Sequence, residues 1–296
     1  MITGRESGMD LEMGCRLAVD DWVWLNRVGA FQEPGLRAYV SPFPPPALMQ
    51  NVSGLVGEED FASRGADFYL ALSQASSAPL SAYKSLLDFG CGCGRLARLF
   101  KGHPGSVHGR DIDRRHVEWV ARNLSFMESK LSSVRPPTPY EDGQFDAIIS
   151  ISIFTHLNEA SQDRFLAELA RLSSPQAHLF LTVHGQKALS RAVNEPTIRG
   201  MLAMDESAFR RARDEFADGK HAFILQQGHL TTTVDAASTG ARRIVNDPFE
   251  YGITFMPEGY VRDHWGRWFD IVDYRHGALH SFQDTVVLRP KKGGVR

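Results

Sequence analysis

Residues 85–95 read SLLDFGCGCGR, an apolar run that passes an acid and then meets glycine at three alternate positions, Gly90, Gly92 and Gly94. Glycine has no Cβ, so such a loop reaches positive φ and lets a ligand approach the backbone closely. Leu96, Leu99 and Phe100 follow with helical spacing, which predicts a helix start supplying unpaired N–H groups and positive potential. A strand, a glycine turn and a helix together bind nucleotides, and two kinds of ligand use such a turn. A dinucleotide site wants G-x-G-x-x-G with pyrophosphate on the helix end, but Arg95 stands where that fingerprint needs its third glycine. The spacing is instead Asp88-x-Gly90-x-Gly92-x-Gly94. An acid at the end of the strand suits a ligand carrying an ammonium group and repels pyrophosphate. Cys91 and Cys93 lie between the glycines, and with Cys15 as the remaining cysteine no second ligand pair has metal-site spacing. They read as small structural side chains.

The pattern around this loop is regular. The stretch GSVHGRDI predicts a second strand, and Val117, Val120, Ala121 and Leu124 follow at i, i+3, i+4 and i+7. FDAIISI predicts a further strand before a helix marked by Phe165, Leu169 and Leu172, and AHLFLTV predicts the next. Short apolar strands alternating with amphipathic helices predict βαβ units, hence an α/β fold with a Rossmann-like, mostly parallel sheet covered on both faces. Upstream, LAVDDWVWLNRVGAF is compatible with one helix, SPFPPPA interrupts regular structure, and residues 61–72 predict another helix. Past His184 the rhythm stops. Residues 186–252 hold a charged helix candidate, DESAFRRARDEFADG, and the polar stretch GHLTTTVDAASTG. That length exceeds an ordinary connection and predicts an insertion over the sheet's active edge. PEGYVRDHWGRW predicts a helix, and FDIVDY, a turn at RHGALHS and DTVVLR predict a hairpin whose last strand runs antiparallel to its neighbour. The expected organisation is an N-terminal extension over 1–64, a ligand-binding core over 65–185, an insertion or substrate cap over 186–256, and a C-terminal helix and hairpin completing the sheet over 257–296.

Composition narrows the partners. A net charge of −2 over 296 residues is not the basic excess of a nucleic-acid binder, so no nucleic-acid partner is expected. The first ten residues lack a basic start and apolar core, and the apolar runs fall short of the roughly 20 residues of a membrane span. No membrane partner is expected. Three cysteines give no disulfide framework and fit a reducing cytoplasm.

With the acid and glycines in place, the chain resembles the class I S-adenosylmethionine-dependent methyltransferases, whose first motif reads acid-x-Gly-x-Gly-x-Gly. The resemblance covers about residues 65–185 and the C-terminal hairpin. It implies S-adenosylmethionine as cofactor, held by Asp88, Gly90, Gly92, Gly94 and Arg95. VHGRDIDRRHVEWVARNL resembles the family's second strand and following helix. This puts Asp111 at the acid that holds both ribose hydroxyls and Ile112 where an apolar side chain packs against adenine. Ser132 and Ser133 fall near the adenine edge, at the end of a third strand read at SKLSS, and Ser150, at the end of the fourth strand, is a further cofactor-binding candidate. Lacking the usual Pro-Gly-Gly, LSSPQAHL is expected to change only a turn before the fifth strand.

Methyl transfer from a sulfonium is an in-line displacement that needs mainly positioning, and a hydroxyl acceptor gains from a general base. His156 and His184, at the carboxyl ends of two strands, are the candidate bases, with His184 expected to reach the cleft better. His276 and His280 are four apart, but the glycine between them predicts a turn rather than a metal pair, and no metal is expected. Trp265 and Trp268 predict core packing. Arg210, Arg211, Arg213, Arg242 and Arg243 read as a solvated face or as a recognition set for an anionic acceptor. The leading expectation is a methyltransferase acting on a small-molecule acceptor, most directly on oxygen of a sugar or other hydroxylated metabolite. Alternatives are N-methylation of a small molecule or protein, a non-catalytic S-adenosylmethionine-binding protein, and a dinucleotide-dependent oxidoreductase, the last disfavoured by the glycine spacing.

Overall fold

The structure, a computed structural model, describes residues 17–27, 29–232 and 242–291. The amino-terminal residues read for a leader, Cys15 and part of the polar stretch GHLTTTVDAASTG lie outside the described residues. At the centre is a seven-stranded sheet. Five of its strands are mutually parallel: β1 (Ser85–Phe89), β2 (Ser106–Asp111), β3 (Met127–Leu131), β4 (Phe145–Ser150) and β5 (Ser173–Val183). The order across the sheet puts β1 in the middle of the five parallel strands, where it pairs with β2 and β4, so the glycine loop leaves from the centre of their carboxyl edge. At one side the chain's last two strands complete the sheet.

Because side chains alternate across a strand, neighbouring residues serve opposite layers. Leu86, Ala147, Ile149 and Phe180 face a core shared with Leu72 and Tyr69 of the helix α4 described below, whereas Leu87, Ile148, Leu179 and Leu181 face Phe165, Leu166 and Leu169. The first layer contains α1 (Val19–Leu25), the short α2 (Pro34–Arg37), α4 (Glu58–Ala75) and α5 (Arg114–Asn123), and α3 (Pro46–Ser53) sets Met49 in a small separate cluster with Phe61 and Cys93. The second is built on α6 (Glu159–Leu172). Asp113 and Asn158 cap α5 and α6 by accepting the N–H of Arg115 and Ser161, so both helices begin where a short polar side chain satisfies a free amide. Arg98 fastens the N-terminal layer. Its fully buried guanidinium lies 3.7 Å from the centre of the Phe43 ring and donates to the carbonyls of Ser41 and Pro42. Trp22 Nε1 donates to Leu99 O nearby, at 2.8 Å.

Beyond β5 the chain forms α7 (Gln186–Asn194), α8 (Pro196–Leu202) and α9 (Glu206–Ala217), then β6 (Ala222–Leu225). Two short strands follow, β7 (Leu230–Thr231) and β8 (Arg243–Ile244), and then β9 (Gly252–Phe255), which pairs antiparallel with β6. This part has its own apolar cluster, with Leu189, Phe209, Phe216, Ile224 and Phe255 at its heart. The chain then returns through α10 (Glu258–Trp265) to β10 (Phe269–Leu279) and β11 (Gln283–Pro290). β11 lies antiparallel to both β5 and β10. Trp265 and Trp268 pack in the second core layer, as expected from the sequence.

Several local expectations are corrected. The glycine loop is followed by turns and one 3-10 turn, Ala97–Phe100, and not by an α-helix, because Gly102, Pro104 and Gly105 end the segment within a few residues. β3 ends at Leu131, so Ser132 and Ser133 follow the strand and SKLSS is not its core. Among its described residues, LAVDDWVWLNRVGAF holds the seven-residue α1 and turns after it. α6 runs directly into β5, which is eleven residues long and irregularly paired near Phe145, so the missing Pro-Gly-Gly changes strand as well as turn. The C-terminal turn comes late: β10 continues through a bulge at Gly277 (φ 62°), and the chain reverses at His280 and Ser281, both at positive φ.

Candidate active site

The carboxyl edge of the sheet carries the site, and the glycine loop is its hinge point. Gly90, Gly92 and Gly94 have φ of 88°, 53° and 85°, and the N–H groups of Gly90 and Cys91 donate to Arg110 O, which hooks the loop onto the end of β2. Gly90 is obligatory on two counts. Its φ is left-handed, and a Cβ there would stand 2.3 Å from Ile153 Cδ1. Cys91 and Cys93 are buried and unlinked, as small fillers are.

Asp88 ends β1 with one carboxylate oxygen, Oδ2, buried and without a hydrogen-bond partner; Ser150 Oγ, at the end of the adjacent β4, is orphaned in the same way. Burial first, and then the charge of Asp111, push the Asp88 carboxyl up to about 7, against a smaller opposing pull from Arg95. A buried acid with an open acceptor is costly unless a cation completes it, so Asp88 suits an ammonium group. Asp111 is held differently. Its Oδ2 accepts from Gly92 N–H and its Oδ1 from Asp113 N–H, both at 2.9 Å, with His116 Nδ1 3.4 Å from Oδ1. Burial alone would raise this carboxyl, but the hydrogen bond and charge of His116 and the two amides outweigh it and hold it down to about 2. Asp111 is therefore a fixed anion whose Oδ2 keeps acceptor capacity for a hydroxyl.

Two cavities open from these residues. The first, about 70 Å³, is lined by Phe89, Gly90, Asp111, Ile112, Val134 and Ser152 from the core, together with His156 and Phe165. The second is a cleft of about 760 Å³, lined among others by Asp60, Arg64, Asp67, Arg95, His280 and Gln283. Ser152 borders both. Its φ of 58° is strained for a non-glycine residue, its N–H donates to Thr182 Oγ1 at 2.8 Å, and its Oγ lies 2.8 Å from the Gln283 amide nitrogen. Arg95 stacks its guanidinium 4.5 Å from the Phe68 ring centre and has no hydrogen-bond or ion-pair partner among the described residues, and burial lowers its pKa to about 10.

The structure thus brings Asp88, Gly90, Gly92, Gly94, Arg95, Asp111, Ile112 and Ser150 to one edge. Ser132 and Ser133 line neither cavity. Ser132 is buried with its Oγ turned to Ser133 O, Ser133 is exposed, and Val134 takes the position on the wall. The two candidate bases also separate. His156 lines the first cavity, whereas His184 is buried between Phe255 and Phe282 and reaches neither. Each donates its Nδ1–H to a carbonyl of β9, Gly252 O at 2.7 Å and Thr254 O at 3.2 Å, so together they clasp the insertion to the core. Burial lowers their pKa values to about 3 and about 4, with Arg243 adding to the effect at His156, which keeps both rings neutral. His276 and His280 turn to different partners, Glu258 and Asp67, and no group of three or more candidate metal ligands occurs among the described residues. Arg210, Arg211 and Arg213 are exposed on α9 and line neither cavity. The residues that sequence reading missed are Arg110, next to Asp111 in the chain, and Phe249 and Tyr251, which come from the insertion.

A sheet ordered β3-β2-β1-β4-β5-β11-β10, with an acid before the glycine loop and a second acid ending β2, is a Rossmann-like fold with a nucleotide-type site at its carboxyl edge. Residues 86–176 match the methyltransferase domain family, which is consistent with the class I S-adenosylmethionine-dependent methyltransferases. The chain is similar to ajmaline N-methyltransferase of Rauvolfia serpentina, 26% identical over 152 residues, covering 49% of this chain and 50% of that one. It is also similar to norajmaline N-methyltransferase of the same plant, 24% identical over 193 residues, covering 63% and 59%. The match thus spans between half and six tenths of these curated relatives. Among solved structures, the PH0226 protein from Pyrococcus horikoshii OT3 shares the fold, with a TM-score of 0.54 at 14% identity over 79% of this chain and 92% of that one. Among the described residues no helix is long and apolar enough to cross a membrane.

Proposed function

We propose that the protein transfers the methyl group of S-adenosylmethionine to a small polar acceptor bound in the larger cleft, and that the acceptor atom is an amine nitrogen. The observation that carries this reading is the junction at Ser152, where a cavity built on Asp111 and Ile112 meets a larger cleft whose charged lining is Asp60, Asp67, Arg64, Arg95 and Arg191. The cofactor, when bound, supplies an electrophilic methyl on a sulfonium. Asp88, with its unpartnered oxygen, would hold the ammonium group, Asp111 the ribose hydroxyls, and Ile112 with Val134 the faces and edge of adenine. Arg95 offers an unpaired guanidinium for a carboxylate. An amine that reaches the methyl group in its neutral form needs no strong base, because the extra proton is lost to solvent after transfer. His156 and His184 are committed to β9 as Nδ1–H donors and are poor bases at neutral pH, which also favours nitrogen over a hydroxyl. The names of the two plant relatives point the same way. A second reading, transfer to a hydroxyl, has one observation behind it. His280 borders the cleft with its Nε2 3.3 Å from Asp67 Oδ2 and its Nδ1 3.3 Å from Arg64 Nη1, an imidazole oriented by a carboxylate that could serve as a base once Arg64 turns away.

The test has two stages. Calorimetry should show binding of S-adenosylmethionine and S-adenosylhomocysteine and none of NAD; tight NAD binding without S-adenosylmethionine would overturn the reading. Methyl-labelled cofactor is then offered with panels of amines and of hydroxylated compounds. Label in the amine panel alone supports nitrogen transfer. Label confined to hydroxyl compounds, and lost in His280→Gln, replaces it with the second reading.

A further inference from the structure

The first cavity is not made by the core alone. Arg243, Phe249 and Tyr251 line it from the insertion, more than a hundred residues beyond Asp111 in the chain. The segment that carries them is tied down at sites that already serve the cofactor side of the fold. Arg242 O accepts from Asn51 Nδ2 at 2.8 Å and from Arg115 Nη2 at 2.9 Å. Ile244 N–H donates to Asp113 Oδ2 at 2.9 Å, the same carboxylate that caps α5. At the other end Tyr251 forms a bridge with Leu157 and stacks on His156, with ring centres 4.7 Å apart and planes 14° from parallel. Between these anchors, Arg243 Nη1 donates to Tyr251 OH at 2.9 Å, its only hydrogen bond among the described residues. Most of its five N–H donors are thus left for a ligand. The charged and titratable groups around it are Asp111 and Asp113 below, Arg95 on the glycine loop, and His156 and His229 beside the strap.

We propose that Arg243 and Tyr251 are positioning residues of the cofactor site, and that the strap formed by residues 242–251 is the outer wall of its nucleoside half. This rests on the reading of the site as one for S-adenosylmethionine. Asp111 and Ile112 offer one side of a nucleoside its hydroxyl acceptor and its apolar contact. Arg243 and Tyr251 offer the opposite side hydrogen-bond donors and an aromatic edge whose plane is fixed by His156. A nucleoside seated there would touch Arg243 and Tyr251 directly, and so would add to the anchors that hold the strap. Filling the pocket and securing the strap are then one coupled event, and the coupling is reciprocal. Because the strap leads into β9, which His156 and His184 hold against the core, the cofactor also sets the wall of the insertion that faces the acceptor side.

The experiment uses the full chain with S-adenosylhomocysteine as probe, and combines calorimetry with hydrogen–deuterium exchange of residues 242–251. In the wild type the probe should slow exchange of the strap. Arg243→Ala should weaken probe binding about 10- to 100-fold, the usual range for a lost charged hydrogen bond, and should abolish the added protection. Tyr251→Phe keeps the stack on His156 but frees Arg243, and should give a smaller loss of the same kind; it serves as the second variant if Arg243→Ala fails to fold. Arg211→Ala, on the exposed face of α9, should bind as the wild type does. A purely structural strap would lower the melting temperature of the ligand-free variants without ligand-dependent protection. Wild-type binding with unchanged strap exchange, or variants binding within twofold of wild type, overturns the proposal. No binding of the probe by the wild type would instead overturn the cofactor reading beneath it.

Discussion

The Asp88 carboxyl makes cofactor binding depend on pH in a way that an ordinary acid would not. Its folded-state pKa of about 7 stands some three units above the usual carboxylate value, raised by burial and by Asp111. Only the ionised form pairs with an ammonium group. At pH 6 about nine tenths of the ligand-free protein carries this proton, and binding must expel it, releasing about 0.9 proton per ligand. The ligand's own amino group loses charge near pH 8, so the informative window lies below that. Allowing for both groups, affinity should be about twentyfold weaker at pH 5.5 than at pH 7.5, where an acid of pKa near 4 would give an almost flat profile. Calorimetry with S-adenosylhomocysteine in two buffers of different ionisation enthalpy counts the proton directly. Asp88→Asn should lose both the slope and about 2–4 kcal/mol of binding at pH 7.5. The sign for folding is opposite. A raised pKa stabilises the ligand-free fold below about pH 4, and that stabilisation is lost as pH rises through 7. Removing the buried charge should therefore make ligand-free Asp88→Asn more stable than wild type at pH 8, by at most about 4 kcal/mol. A flat wild-type profile with no proton released, or an Asp88→Asn protein that binds as well as wild type, would refute the reasoning.

Asp111→Ala removes the fixed anion of the pocket and should cost about 2–4 kcal/mol in cofactor affinity by calorimetry, with the fold retained by circular dichroism. Gly90→Ala forces a Cβ against Ile153 at positive φ, so it should lower stability in urea by about 1–3 kcal/mol and reduce cofactor binding in the folded fraction. His156 and His184 have lowered pKa values, so the stability they give is present above about pH 6.5 and lost as pH falls toward 4. Unfolding in urea at pH 7.5 and pH 5 should therefore show His184→Gln losing about 2 kcal/mol less on acidification than wild type; equal losses would refute the neutral clasp.

Periodicity carried the reading of the sheet. Leu86 and Leu87, or Ile148 and Ile149, serve opposite layers, and a run apolar on both parities leaves little but a buried parallel strand. The spacing of Asp88 and the glycines was equally legible, because it states a local backbone requirement. What escaped was set by distance along the chain or by a neighbour. Ser132 and Ser133 were placed on the adenine edge because β3 was read two residues late, and Val134 holds that wall. His184 follows a buried strand and so looked accessible, but β9 folds across it and takes its Nδ1–H. The contribution of Tyr251 to the first cavity depends on a loop closed over nearly a hundred residues, for which no spacing rule exists.

Arg98 gives the N-terminal layer a different standing from that of a tail. Its side chain leaves the turn just after the glycine loop and ends among the carbonyls of Ser41 and Pro42, against Phe43. Were that layer cut away, the guanidinium would lose its acceptors and its burial together, three residues from Arg95. A protease that nicks the chain between α2 and α3 would thus act on the ligand loop from outside it. The two should loosen in a single step, and a cofactor that grips the loop should guard a cleavage point it never touches.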